Sequence, residues 1–356
     1  MPWKTLLHAT ETLLASREND VELAFYGGEP LVQIDLMRQA VDYVETHRRP
    51  EQQVEFSTIT NGTLIGEAEA EFLADHEFKV KLSLDGVPAV QALRGAGTFE
   101  VVDALLDRLR RDHRDWFEKK VTVSATVLPS SVRHLADSVH YFLQKGVGSI
   151  QFSPGATDTS VWRLEQIEEL DEQFEQIYQT GLRLYRRTGK VPVECLRNGD
   201  EPQERTQPHA MCNVERAEEL TVDVGGEVYG CAMFAESFQE FSSDFLRRRM
   251  SALRLDELAS PNLDQRMADY PEVVGAAEIF HRHDVKYSSY RECGSCEFLE
   301  HCFVCPVTIG HIPGNTDPHR IPDFLCAFNL VSQKYRQKMA AEPGWLDWIK
   351  KGKDRE

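Results

Sequence analysis

Apolar positions in the first 190 residues follow two alternating rhythms. Runs rich in β-branched and aromatic residues at Val21 to Tyr26, Val54 to Thr60, Phe78 to Leu84, Val121 to Leu128 and Ser149 to Ser153 read as strands. Between them, apolar residues recur at helical spacing over Trp3 to Ala15, Ile34 to His47, Ile65 to Asp75, Phe99 to Asp112 and Ser131 to Lys145. Strand and helix in alternation is the sequence form of β/α units around a parallel sheet, so the fold class is α/β. A longer acidic-amphipathic stretch, Leu164 to Arg187, sets Leu170, Phe174, Ile177, Tyr178, Leu182, Leu184 and Tyr185 on one helix placed to close that sheet.

Past residue 190 the rhythm breaks. The polar stretch Arg197 to Pro208, with Asn198, Gly199, Pro202 and Pro208, reads as a linker. A hairpin is expected over Leu220 to Met233, turning on Gly225 and Gly226. The division expected is a β/α domain over 1–190, a linker over 191–208, a cysteine-rich domain over 209–330 and a terminal helix or tail over 331–356. No internal repeat or low-complexity tract interrupts it.

Composition narrows the partners. At 356 residues and 41% hydrophobic, the chain can build a core for each of two domains. Its net charge of −18 opposes the phosphate neutralisation on which nucleic-acid binding depends. No apolar run is long enough for a membrane span, and Lys4, Glu11, Arg17, Glu18 and Asp20 break any signal-peptide core. A cytoplasmic protein is expected, with neither nucleic acid nor membrane as partner.

In that reducing setting, clustered thiols point to metal rather than disulfides. Seven of the eight cysteines form one series: Cys212, Cys231, then Cys293-x2-Cys296-x5-Cys302-x2-Cys305, then Cys326. Thiolate is the soft ligand that iron-sulfur clusters and zinc demand, and seven exceed one tetrahedral site. Zinc is the competing reading. Cys195 stands apart as a plain buried thiol. His281, His283, His301, His311 and His319 crowd the same region as surface or supporting groups.

Three strand ends carry polar, glycine-bearing turns: Gly27-Gly28-Glu29-Pro30, Thr60-Asn61-Gly62, and Ser83-Leu84-Asp85-Gly86. In parallel β/α folds the carboxyl ends of the strands form the ligand-binding face, so the three describe one polar rim.

With Phe25-Tyr26 before the first turn and Arg94-Gly95 and Gly97-Thr98-Phe99 downstream, these motifs resemble those of radical S-adenosylmethionine enzymes that mature peptides and sulfatases. The later cysteines resemble that group's SPASM domain. Together the two resemblances cover about residues 3 to 330. They imply a partial (β/α)6 TIM-like barrel, its first strand missing here, followed by a small iron-sulfur SPASM domain. They further imply S-adenosylmethionine held by Gly27, Gly28, Glu29 and Pro30, with Asn61, Ser83 and Arg94 as further contacts. Two auxiliary 4Fe-4S clusters would follow: Cys293, Cys296, Cys302 and Cys326 on one, Cys212, Cys231 and Cys305 on the other, whose fourth ligand stays open. A peptide or protein substrate and an electron donor such as flavodoxin or ferredoxin are the implied partners.

The departure is at the other end. The family's catalytic cluster hangs on a Cys-x3-Cys-x2-Cys loop ahead of the Gly-Gly-Glu-Pro turn, whereas no cysteine precedes Cys195. Truncation is the simplest account and loss of catalysis the rival one; either way the polypeptide as written is expected not to cleave S-adenosylmethionine. A peptide-modifying radical enzyme leads. Formylglycine formation is second, because Ala232 follows Cys231 where the sulfatase branch commonly has a base aspartate, leaving Asp223 and Glu227 as substitutes. A non-catalytic iron-sulfur or electron-transfer protein is the third reading.

Overall fold

The computed structural model describes residues 1–197, 214, 219–238, 253–275, 285–299, 302, 304, 305, 307, 309, 312, 317 and 319–345. Five strands, β1 (Asp20–Phe25), β2 (Gln53–Thr60), β3 (Lys79–Ser83), β4 (Val121–Val127) and β5 (Ser149–Pro154), pair in sequence order, all parallel. The helices between them are α1 (Trp3–Leu14), α2 (Ile34–His47), α3 (Glu67–Asp75), α4 (Pro88–Arg94), α5 (Thr98–Asp112), α6 (Arg114–Lys120) and α7 (Leu135–Lys145). Strand and helix positions match the hydrophobic rhythm to within a few residues. Two short helices, α4 and α6, went unread because seven residues hold too few turns to show a period.

The two faces of the sheet differ. Phe56, Val80, Leu82, Val123, Ala125 and Ile150 are buried against Val41, Leu73, Leu106, Val139 and Phe142 of the helices. The alternate positions are polar and half-exposed. They run across the sheet in register as Lys81, Thr122 and Ser149, and as Ser83, Ser124 and Gln151. A parallel sheet covered by helices on both faces would be apolar on both, so this one keeps an open polar face.

The long helix α8 (Ile167–Thr188) follows β5 and stops at Gly189, whose φ of 69° is the left-handed conformation that suits a helix end. The chain then returns to the sheet. Ile150 N donates to the Pro192 carbonyl at 2.8 Å, Val193 bridges Ile150, and buried Leu196 packs where a Cβ on Gly181 would come within 2.8 Å. Residues 191–197, read as the start of the linker, thus lie on the barrel half, and 198–208 fall outside the described residues.

Beyond it, β6 (Thr221–Val222), β7 (Glu227–Tyr229) and β8 (Arg254–Glu257) form an antiparallel sheet covered by α9 (Leu263–Gly275). The expected hairpin is there, closed by Asp223 N donating to Glu227 O at 2.8 Å and turning at Gly226 with φ of 102°. β8 and α9 were not foreseen. Ala9 of α1 packs into this second core, tying it to the first domain.

The terminal helix α10 (Asp323–Ala340) starts upstream of the expected 331, because Phe324, Ala327, Phe328, Val331 and Tyr335 make one apolar stripe. It lies along α8, with Phe174 and Phe328 edge to face at 5.3 Å and Phe174 stacked on Tyr335 at 6.0 Å. No helix among the described residues is long and apolar enough to cross a membrane.

Candidate functional site

The rim begins where β1 ends. Gly27 has φ of 132°, a conformation side chains resist, and a Cβ on Gly27 or Gly28 would meet nothing within 4 Å. The space above this turn is open to a ligand. Glu29 fixes the turn: its carboxylate accepts from Thr60 Oγ1 at 2.7 Å, Asn61 N at 2.9 Å and Leu31 N at 3.2 Å. Three acceptances leave one lone-pair direction of a carboxylate for a ligand amine. Pro30 opens the short 3₁₀ turn that follows. The Asn61 side chain serves its own loop, accepting from Thr63 N at 2.8 Å and Thr63 Oγ1 at 2.7 Å.

The third turn is locked differently. Arg94 donates to Asp85 through Nε at 2.9 Å and Nη2 at 2.7 Å, and reaches Thr126 Oγ1 at 3.2 Å. Thr126 N also donates to Asp85, at 2.8 Å. Arg94, expected as a ligand contact, is thereby engaged in joining β3, α4 and β4. Ser83 closes β3 on the polar face, beside Ser124. The structure thus brings Gly27, Gly28, Glu29, Pro30 and Asn61 together at one turn pair, with Ser83 and Arg94 at the next strand ends.

Described cysteines lie near two of the strand ends, those of β1 and β5. Cys212 lies outside the described residues. Cys231 follows β7 and faces Tyr26, the residue before the first glycine turn; burial, and then charge on Cys231, push the Tyr26 phenol up. Asp223, a substitute base in the sequence reading, is buried and accepts from Val224 N at 2.7 Å and Ser237 N at 3.1 Å, which marks it as a turn carboxylate. Glu227 is half-exposed on β7.

Cys293, Cys296, Cys302 and Cys326 form a separate group near the end of β5, where Ala156 packs against it. Burial pushes the Cys302 thiol up to about 12 and the Cys293 thiol up to about 11, and charge on the neighbouring cysteines of the four adds to both. Cys326 sits on the first turn of α10; burial raises it, while a hydrogen bond with Ser288 works against that rise. Arg291 Nη1 donates to Cys296 Sγ at 3.6 Å. Val304, Ile309, Ile321 and Leu325 wall the sulfurs in. Soft donors, an apolar wall and hydrogen bonds to sulfur are the chemical parts that a metal cage would use. Among the described residues, no three of His, Cys, Asp and Glu converge tightly enough for a single ion. Cys305 is exposed.

The cage is moored to the barrel half. Trp162 Nε1 donates to the Tyr290 hydroxyl at 2.7 Å, Tyr290 donates to the Leu164 carbonyl at 3.0 Å, and Ala156 packs against the cage wall. Buried Lys286, which sequence reasoning missed, lies within electrostatic reach of Cys293, Cys302 and Cys305, and burial lowers its pKa to about 8.

No family model matches the chain. Over 146 residues, 39% of this chain, it is 26% identical to a cysteine-type anaerobic sulfatase-maturating enzyme of Clostridium perfringens; that match spans 38% of the enzyme's own length. It is 24% identical over 234 residues to an uncharacterized protein of Methanocaldococcus jannaschii, covering 65% of this chain and 75% of that one. The structure of native anSMEcpe with bound AdoMet and Kp18Cys peptide superimposes with a TM-score of 0.69 at 16% identity, over 98% of this chain and 90% of that one. The fold is that of the radical S-adenosylmethionine maturases. Streptococcus suis SuiB bound to S-adenosylmethionine shares it more loosely, with a TM-score of 0.51 at 16% identity over 92% of this chain and 70% of that one. The polar face described above and the carboxyl ends of the strands meet at one edge of the sheet. The three glycine-bearing turns lie at its carboxyl-end mouth.

Proposed function

We propose that this chain is the S-adenosylmethionine-binding barrel and auxiliary-cluster domain of a radical enzyme that modifies a side chain of a peptide or protein. The observation that carries the reading is the four-thiol cage, set at the mouth of a barrel whose sequence and fold are similar to those of maturases. The cage would hold a 4Fe-4S cluster through Cys293, Cys296, Cys302 and Cys326. Cys231 and Cys305, with Cys212, would serve a second.

When bound beside a reduced cluster, S-adenosylmethionine supplies a carbon radical able to take hydrogen from an unactivated C–H bond. The chain's own residues bind and orient. Glu29 holds two strand ends rigid and offers its remaining acceptor to the cofactor's ammonium, Gly27 and Gly28 admit close backbone approach, and Ser83 adds a hydroxyl on the polar face. A flavodoxin or ferredoxin would supply electrons. Formylglycine formation is the second reading, favoured by the similarity to sulfatase-maturating enzymes and opposed by Ala232 and by the engaged carboxylate of Asp223.

Anaerobic reconstitution with iron and sulfide tests the proposal. Iron near about four atoms per cluster, with S-adenosylmethionine binding by calorimetry, is expected. Stoichiometric zinc with no iron uptake would defeat it.

A further inference from the structure

The two oxygens of the Glu29 carboxylate are not used alike. Oε1 accepts twice, from Thr60 Oγ1 at 2.7 Å and from Leu31 N at 3.2 Å, whereas Oε2 accepts once, from Asn61 N at 2.9 Å. A second bond settles which way the Thr60 hydroxyl points. Gly62 N donates to Thr60 Oγ1 at 3.0 Å, and an amide N–H can only donate, so the hydroxyl accepts there and gives its single proton to Glu29. Thr60 is the last residue of β2 and only 2% exposed. A ligand lying over Gly27 and Gly28 would therefore meet the carboxylate and not the threonine.

A glutamate side chain turns about three bonds, and an ammonium held by it would move with it. Bonds to an ionised acceptor are the strong, directional ones, and here one of them comes from a buried hydroxyl whose own orientation is fixed by the backbone. With both directions of Oε1 filled by described residues, the acceptor left for a ligand is on Oε2. We propose that Thr60 is a positioning residue for S-adenosylmethionine: by occupying Oε1 it fixes the plane of the Glu29 carboxylate and presents Oε2 to the α-ammonium of the cofactor. The amino-acid end of the ligand then depends on a side chain that it does not touch. The inference rests on the reading of Glu29 given above.

The test is calorimetry on the reconstituted protein with two probes, S-adenosylmethionine and 5′-methylthioadenosine, which lacks the amino-acid end and has no ammonium for Glu29. Wild type is compared with Thr60→Val, Thr60→Ala, Thr60→Ser, Glu29→Gln and the double variant Glu29→Gln with Thr60→Val. Loss of the hydroxyl should weaken S-adenosylmethionine binding roughly tenfold, the scale of a hydrogen bond to a charged group, and leave 5′-methylthioadenosine within about twofold of wild type. Thr60→Ser keeps the hydroxyl and should keep the affinity. In the Glu29→Gln background, Thr60→Val should change S-adenosylmethionine affinity by less than about twofold, because its effect runs through the carboxylate. Thr60→Ala carries the comparison if Thr60→Val, which leaves Gly62 N without its acceptor, does not fold. Unchanged S-adenosylmethionine affinity without the hydroxyl, equal weakening of both probes, or additive losses in the double variant overturn the inference alone. A wild type that binds no S-adenosylmethionine, or Glu29→Gln at wild-type affinity, overturns the reading of Glu29 with it.

Discussion

Asp85 and Arg94 meet in a two-pronged ion pair at the end of β3, with the aspartate side chain 9% exposed and the arginine 35%. The pair is shared with the backbone of β4 through Thr126 N. Removing the arginine leaves a nearly buried carboxylate short of its charge partner. Arg94→Ala should therefore destabilise the fold by about 2 kcal/mol, discounted from the fully buried case because the guanidinium is partly wet. A double-mutant cycle with Asp85→Asn, read by chemical denaturation, should show coupling of about 1 kcal/mol. Strict additivity would reduce the pair to two unrelated surface charges.

Two glycines of the rim separate folding from binding. Gly86 has φ of 142°, and a Cβ there would lie 2.0 Å from Ser138 Oγ, so Gly86→Ala should cost about 3 kcal/mol or more through strain and overpacking. At Gly28 the Cβ meets nothing, so Gly28→Ala should leave stability within about 0.5 kcal/mol while weakening S-adenosylmethionine binding. Thermal melts and calorimetry on the same two samples check both. Unchanged cofactor affinity in Gly28→Ala would remove that turn from the binding site.

Cysteines with different roles should part company under reconstitution. Cys302 shares its environment with three other thiols, whereas Cys195 is a partly buried thiol beside Arg336, pushed up to about 12 by desolvation. Cys302→Ser should lose most of the iron held by the cage, and Cys195→Ala should keep it all. Equal iron contents would break the assignment.

Acid should loosen the mooring of the carboxyl-terminal segment. Glu342 accepts from the Tyr178 hydroxyl at 2.8 Å and from Arg186 Nη2 at 2.9 Å, and these hold its carboxyl below the usual range. Stability from a carboxyl lowered in the folded state is fully present above its unfolded value, near about 4.3, and is lost as pH falls through the lower folded value. Glu342→Gln should be less stable than wild type by about 1 kcal/mol at neutral pH, with the gap closing as pH drops below about 4. Denaturation midpoints across that range decide it; a gap independent of pH would mean the carboxylate is not what matters.

Much of the first domain was legible because four strands, from Val54–Thr60 to Ser149–Ser153, bury a periodic face, as do the helices between them. The glycine-bearing rim was legible too, since Gly27 and Gly62 sit where the backbone turns to positive φ. What escaped has physical reasons. β8 holds four residues and pairs with β7 across some 25 positions of sequence, so no local pattern marks it. The engagement of Arg94 depends on Asp85, nine residues away across a turn and a helix. Lys286 reads as surface in any composition-based view, because only the tertiary path of the loop to Cys293 takes it out of water.

Helix α10 carries Cys326 at one end and the aromatic contacts with α8 along its length. Its 18 residues span roughly 27 Å as one stiff rod. With the cage loaded as proposed, oxygen that strips its iron would unfasten one end of the strut that braces the barrel wall, and aerobic damage should surface as proteolytic nicking far from the cage.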